Sequence, residues 1–334
     1  MFWFLLLGLL LPSNGAIPLP FRTADLIYNG TIDTNHTFPF QVVFYRRDLK
    51  QYFCGGTILN ERFVLTAAHC IMQMSDFTTA YAGVLDMKAL NDSAVQSSHV
   101  RNKTMHPDWD QHNIQNDIGM VELETPYEFT DFVAPINISR DDESTEIAGQ
   151  AVVVEGFGAV DYHDGVGKDS QYLRYADVKI YDRTICQEVW IKEENTKITD
   201  TQICTTAKGK GILPGDSGGP LLYKEDDEWR QVGITSFFGT PDYQAFPQVF
   251  TRTAKFCDWI GETTEGTYEC SGSAATDSTT SSSPGSPSTT TPTTTPPLFI
   301  HYDRFDSFKW PTLIVTYITI TWFILTYYTN LCLH

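Results

Sequence analysis

The folded part of this 334-residue chain is predicted to be all-β, a sandwich or barrels. Three observations predict it. Short apolar runs recur from about Ile27 to Cys270, separated by turn residues. Sustained helical periodicity is scarce. The stretch spans about 240 residues, long enough to bury a sizeable core.

In chain order, QVVFY (from Gln41), TILN (Thr57) and FVLTA (Phe63) read as strands, rich in β-branched and aromatic residues. GMVEL (Gly119), AVVVEGFG (Ala151) and ADVKIY (Ala176) follow. PLLY (Pro220), QVGITSFF (Gln231) and QVFTRT (Gln248) complete the set. AKFCDWIGET, from Ala254, is amphipathic and reads as a terminal helix.

The flanks differ in composition. Residues 1–16 carry an apolar run from Phe2 to Leu11, then the small residues Ser13, Gly15 and Ala16, as in a secretory signal peptide. Residues 17–26, short and Pro-containing, form a propeptide segment. From 271 to 297 the chain is dominated by Ser, Thr and Pro, which cannot bury enough apolar surface to fold. It reads as an extended, O-glycosylated stalk or a plain linker. A juxtamembrane segment, 298–312, leads to a hydrophobic anchor at 313–330. That run has Trp310, Tyr327 and Tyr328 at its edges and favours a type I anchor over a removed GPI signal.

The formal net charge of -18 argues against nucleic-acid partners, because an acidic surface is repelled by phosphates. Six of the seven cysteines fall into three local pairs, and C-x-x-C zinc spacings are absent. In an oxidising compartment the pairs are expected to be disulfides. Cys332 is left over. Sequons begin at Asn29, Asn35, Asn91, Asn102 and Asn137. With the signal peptide they point to the secretory route and an extracellular location, either secreted or anchored to the cell surface by the C-terminal hydrophobic segment. No metal or other cofactor is implied.

Three motifs carry chemistry. GDSGGP, Gly215 to Pro220, sets a serine among glycines. Glycines let the backbone turn tightly and aim N–H groups at a developing oxyanion. A serine also needs a base, and TAAHC supplies His69 beside Cys70. NDIGMVEL places Asp117 before a strand, where a buried carboxylate can orient an imidazole.

With these motifs in the order His, Asp, Ser, the sequence resembles the trypsin/chymotrypsin family from about Ile27 to Ile260. The resemblance implies two six-stranded antiparallel β-barrels with a C-terminal helix. It implies a catalytic triad of His69, Asp117 and Ser217 in the cleft, and an oxyanion hole from the Gly215 and Ser217 N–H groups. The implied activity is a serine endopeptidase acting through an acyl-enzyme. Its partners would be protein or peptide substrates, an activating protease and protein protease inhibitors.

The family is made as a zymogen, so cleavage would expose Ile27, whose ammonium would pair with Asp216. Here the cut would follow Leu26, where the family usually has Arg or Lys. A glycan on Asn29 would hinder insertion, so Asn29 is expected to be bare in active protein, leaving Asn35, Asn91, Asn102 and Asn137 as glycosylation candidates. The family pattern pairs Cys54 with Cys70 and Cys186 with Cys204; Cys257 and Cys270 flank the terminal helix and are expected to pair. The family's bridge beside the nucleophile is missing, with Leu213 in its place.

Specificity falls, by the same resemblance, to Gly211, Ile212, Pro214, Ser236, Phe237, Phe238 and Gln248. Gly211 replaces the Asp of trypsins, which argues against cleavage after Lys or Arg. Ser236 would support the triad Asp. Phe238 and Gln248 stand where glycines are usual and suggest an elastase-like pocket for small residues; a chymotrypsin-like pocket for larger apolar residues, or a deep one read by Gln248, is the alternative. The rival function is a catalytically silent, protease-like binding protein.

Overall fold

A computed structural model of the chain describes residues 27, 30–143, 145–163, 166–206, 209–239 and 246–272. The segments expected to be leader, propeptide, juxtamembrane stretch and anchor lie outside the described residues, as do Asn29 and nearly all of the Ser/Thr/Pro-rich segment. Among the described residues no helix is long and apolar enough to cross a membrane.

The chain opens on β1 (Thr31–Ile32). Six strands then close a barrel: β2 (Gln41–Arg46), β3 (Gln51–Ile58), β4 (Phe63–Thr66), β5 (Thr78–Ala82), β6 (Gln96–Met105) and β7 (Gly119–Leu123), in the order β2-β3-β4-β7-β6-β5. A short helix, α1 (Ala68–Gln73), follows β4. The barrel core is built from inward residues of these strands, among them Val42, Phe44, Ile58, Leu65, Val121 and Leu123, all fully buried.

A linking strand, β8 (Asn137–Ile138), leads to the second barrel. Its strands are β9 (Ala151–Gly156), then, after the hairpin β10 (Ala159–His163) and β11 (Val166–Asp169), β12 (Arg174–Tyr181). Helix α2 (Arg183–Glu194) precedes β13 (Gln202–Thr205), β14 (Pro220–Glu225), β15 (Glu228–Phe237) and β16 (Gln248–Arg252). The order β12-β13-β16-β15-β14-β9 returns to β12 through the β12–β9 pairing and so closes a second six-stranded barrel, with β1 paired to β12 and β8 to β15. Closure removes the exposed sheet edges that an open antiparallel sheet would present. Ile27, Val154, Ile203, Leu221 and Phe250 are buried in its core. The terminal helix α3 (Cys257–Thr263) follows a single 3-10 turn.

Polar contacts tie the barrels along their seam. Thr57 Oγ1 of β3 donates to Gln231 Oε1 of β15 at 2.7 Å, and Gly55 N donates to Ser217 O at 2.8 Å. Arg252, at the end of β16, forks onto Asp142 of the linking segment with both bonds at 2.6 Å, and the whole pair is buried. Disulfides join Cys54 to Cys70, Cys186 to Cys204 and Cys257 to Cys270. Closing loops of this size removes unfolded-state entropy worth about 3 kcal/mol each.

Candidate active site

The first barrel supplies an acid–imidazole pair. The β4–α1 junction carries His69, with Cys70 and Ile71 of α1 buried against the barrel. The loop before β7 carries Asp117, which is 1% exposed. His69 Nδ1 lies 2.7 Å from Asp117 Oδ2, and the His69 backbone N–H donates to Asp117 Oδ1 at 3.0 Å. The second barrel completes the carboxylate's shell: Ser236 Oγ donates to Asp117 Oδ2 at 2.6 Å, and Thr251 Oγ1 donates to the Asp117 carbonyl at 2.7 Å. Ser236 holds the carboxylate and Thr251 the Asp117 backbone carbonyl, both from across the seam. Thr251 lay outside the sequence-based set; its signal was only its place in the QVFTRT strand.

Ser217 sits at the mouth of the seam, half-buried. Gly215 and Gly218 on either side have φ of 101° and 77°, a region open to glycine and costly for other residues. A side chain at Gly218 would meet Thr66 Oγ1 at 2.3 Å and the Gly55 carbonyl at 2.6 Å, so the turn can press this closely on the first barrel only with glycine there. Among the described residues the Gly215 and Ser217 N–H groups have no protein acceptor, which leaves both free for an oxyanion. No hydrogen bond joins Ser217 Oγ to His69 in this conformation; His69 Nε2 has Cys70 Sγ at 3.7 Å. Contacts of this type commonly tighten only when substrate binds. Cys54, His69 and Cys70 cluster like metal ligands, but the two sulfurs are joined in a disulfide and are not available to an ion.

Asp216 is 1% exposed, with Oδ1 accepting from Gly158 N at 2.7 Å and Oδ2 from Leu213 N at 2.9 Å. Burial pushes its carboxyl up to about 7, against the pull of these two N–H groups. Ile27 is fully buried in the core of the same barrel, next to Val154 and Ile212.

The residues expected to set specificity make separate contacts. Gln248 is 1% exposed and lies over Gly211, whose φ is 151°; a Cβ there would collide with the Gln248 carboxamide at 2.2 Å. Gln248 Oε1 accepts from Ile212 N at 3.0 Å, and its Nε2 donates to Ile212 O at 3.1 Å. Leu213 packs with Ala159 and Phe238, filling with apolar contact the place of the absent bridge. The Pro214 carbonyl accepts from Ala159 N at 2.7 Å. Phe237 stands edge-on to Trp190 of α2 with ring centres 5.0 Å apart, a support that the sequence motifs did not single out.

Two closed antiparallel barrels with an Asp–His pair on one and a glycine-flanked serine on the other define a chymotrypsin-like serine protease fold. The family model described as Trypsin matches residues 27–260, more than half of the chain, and the chain belongs to that family. Membership implies protein substrates, and with the three disulfides it fits an extracellular protein.

Proposed function

We propose that this chain is a secreted or surface-tethered serine endopeptidase with His69, Asp117 and Ser217 as its triad. The observation that carries the reading is the fixed Ser236–Asp117–His69 chain of hydrogen bonds. Asp117 holds the imidazole with Nδ1 toward the carboxylate, so Nε2 is free to take the Ser217 proton. Ser217 Oγ then attacks the scissile carbonyl, and the Gly215 and Ser217 N–H groups receive the oxyanion. His69 returns the proton to the leaving amine, and water releases the acyl group by the same path.

The specificity reading is cleavage after small apolar residues. The buried Gln248 carboxamide, with one N–H and one oxygen lone pair engaged by Ile212, is read as a plug at the pocket base and not as a reader of polar substrate groups. Activation is proposed to follow cleavage after Leu26. In the uncleaved chain Ile27 has φ of 23°, a costly conformation for a β-branched residue. Hydrolysis of the Leu26–Ile27 bond abolishes that torsion and leaves a free ammonium at Ile27. Residues 1–16 are proposed as signal, 17–26 as propeptide, 271–297 as stalk and 313–330 as anchor.

The test is expression of the full chain in a secretory host, cleavage to the Ile27 terminus, and incubation with a mixed peptide library beside Ser217→Ala. Cleavage after Ala or Val, absent from the variant, is expected. Glycopeptide mapping of the active material should find Asn29 bare. Silence from protein with a confirmed Ile27 terminus would overturn the protease reading.

A further inference from the structure

Two side chains of the second barrel grip the backbone of the loop that carries Asp117. Thr251 on β16 donates through Oγ1 to the Asp117 carbonyl at 2.7 Å. Gln202 on β13 donates through Nε2 to the Ile114 carbonyl of the same loop at 3.0 Å. The two are register partners in the β13–β16 ladder, so they stand side by side on one face of the sheet, and both are buried. Gln202 is itself held, with Oε1 accepting from Thr199 N at 3.0 Å. From the loop side Gln115 reaches back across the seam. Its Nε2 donates to the Lys197 carbonyl at 2.9 Å, and its Oε1 accepts from Thr199 Oγ1 at 2.8 Å. Gln115, Thr199 and Gln202 thus form a polar clamp between the two barrels.

What the clamp holds is a costly piece of backbone. Ile114 has φ of 51° and Asn116 φ of 55°. Asparagine tolerates this left-handed region, but a β-branched residue keeps such a torsion only where its surroundings impose it. Here the Ile114 carbonyl is tied to Gln202, the Gln115 side chain to Lys197 and Thr199, and Asn116 Nδ2 to the Asp108 carbonyl at 2.9 Å. Asp117 is the next residue, and its carboxylate meets His69 Nδ1 at 2.7 Å. Ser236 and Thr251 bind Asp117 where the loop delivers it; Gln202 and Gln115 set where that is. We propose that Gln202, working with Gln115 through Thr199, is a positioning residue for Asp117. It keeps the carboxylate in line with His69 Nδ1 by holding the backbone that carries it. The inference rests on the protease reading.

Gln202→Met keeps the volume and removes both hydrogen-bonding ends. Two readings follow Asp117 directly. The first is the low-field proton resonance of the bond between His69 Nδ1 and Asp117, recorded in the full chain carrying Ser217→Ala, which needs no activity. The second is the split of kcat and KM on an amide substrate, in the full chain with a confirmed Ile27 terminus. The proton is expected to move upfield. The kcat is expected to fall by about ten- to a hundredfold with KM unchanged, the pattern of lost transition-state alignment. Gln115→Met, on the half-buried loop side of the clamp, should move both readings the same way by less. A Gln202→Met chain that folds but leaves either reading unmoved overturns the proposal, because the clamp would then only staple the barrels. If Gln202→Met does not fold, Gln115→Met decides by the same two readings, and failure of both to fold overturns the proposal as well. A parent without Ser217-dependent cleavage would instead sink the protease reading and leave the proton resonance to decide the part of Gln202.

Discussion

Gln248 is the side chain proposed to set the depth of the cleft. Its carboxamide is held on both sides by the Ile212 backbone and covers the space above Gly211. Replacement by glycine removes the plug and frees the Ile212 N–H and C=O, a buried pair whose loss costs about 1–3 kcal/mol per unsatisfied group. Gln248→Gly should therefore lower stability while raising kcat/KM for large apolar residues relative to Ala by at least about tenfold, the scale on which a hydrophobic pocket discriminates. Peptide pairs differing only before the scissile bond measure this ratio, and an unchanged ratio would mean that Gln248 is not the floor. The residue scale was also where the sequence was easiest to read: His69, Asp117 and Ser217 announce themselves in short motifs because their chemistry demands fixed neighbours. What Gln248 does could not be read from its position alone, since a carboxamide can plug or recognise depending on what engages it.

At the scale of elements, apolar strands were legible and polar ones were not. β2, β4, β7, β9, β12, β14, β15 and β16 each hold a run that reads as a strand, and TILN overlaps the end of β3; β13, QICT, has one apolar β-branched residue between polar ends and does not stand out. β6, QSSHVRNKTM, has only Ser98 buried and carries no hydrophobic pattern; it is a strand because β5 and β7 flank it and need their backbone groups paired. Helix α2 escaped notice for a related reason. Its buried residues are only Cys186 and Trp190, one turn apart, and the rest of the helix faces water. It is fixed by ends and staples: Asp182 caps its N-terminus through Ile185 N at 3.0 Å, Asn195 ends it in a left-handed turn, and the Cys186–Cys204 bridge ties it to β13. Asp182→Ala removes the cap acceptor and should destabilise the protein by about 1 kcal/mol, read as a lowered denaturant midpoint with an unchanged slope. Trp190 stands behind Phe237, so a frayed α2 should also loosen the wall of the cleft.

At the scale of the molecule, the proposed cleavage after Leu26 would change the charge balance of a closed interior. In the uncleaved chain Asp216 is buried, and its carboxyl is raised to about 7 from an ordinary value of 3.8. A carboxyl raised on folding binds its proton more tightly in the native state, so the stability it contributes is full below about pH 4 and is lost as pH rises through about 7. Glu155, also raised, adds to the same trend. The uncleaved protein should therefore melt at progressively lower temperature between pH 4 and pH 8. The proposed Ile27 ammonium would reverse this: an opposite charge favours the ionised carboxylate, so Asp216 should fall back toward the ordinary range. The cleaved protein should hold its melting temperature across that interval and lose it only in alkali, when the amine gives up its proton. Calorimetric scans of the two forms at matched pH, with Ser217→Ala in both to prevent self-digestion, compare the curves directly. Curves that diverge as pH rises place the counter-charge of the barrel interior at the new terminus; parallel curves would mean that Asp216 finds its compensation elsewhere.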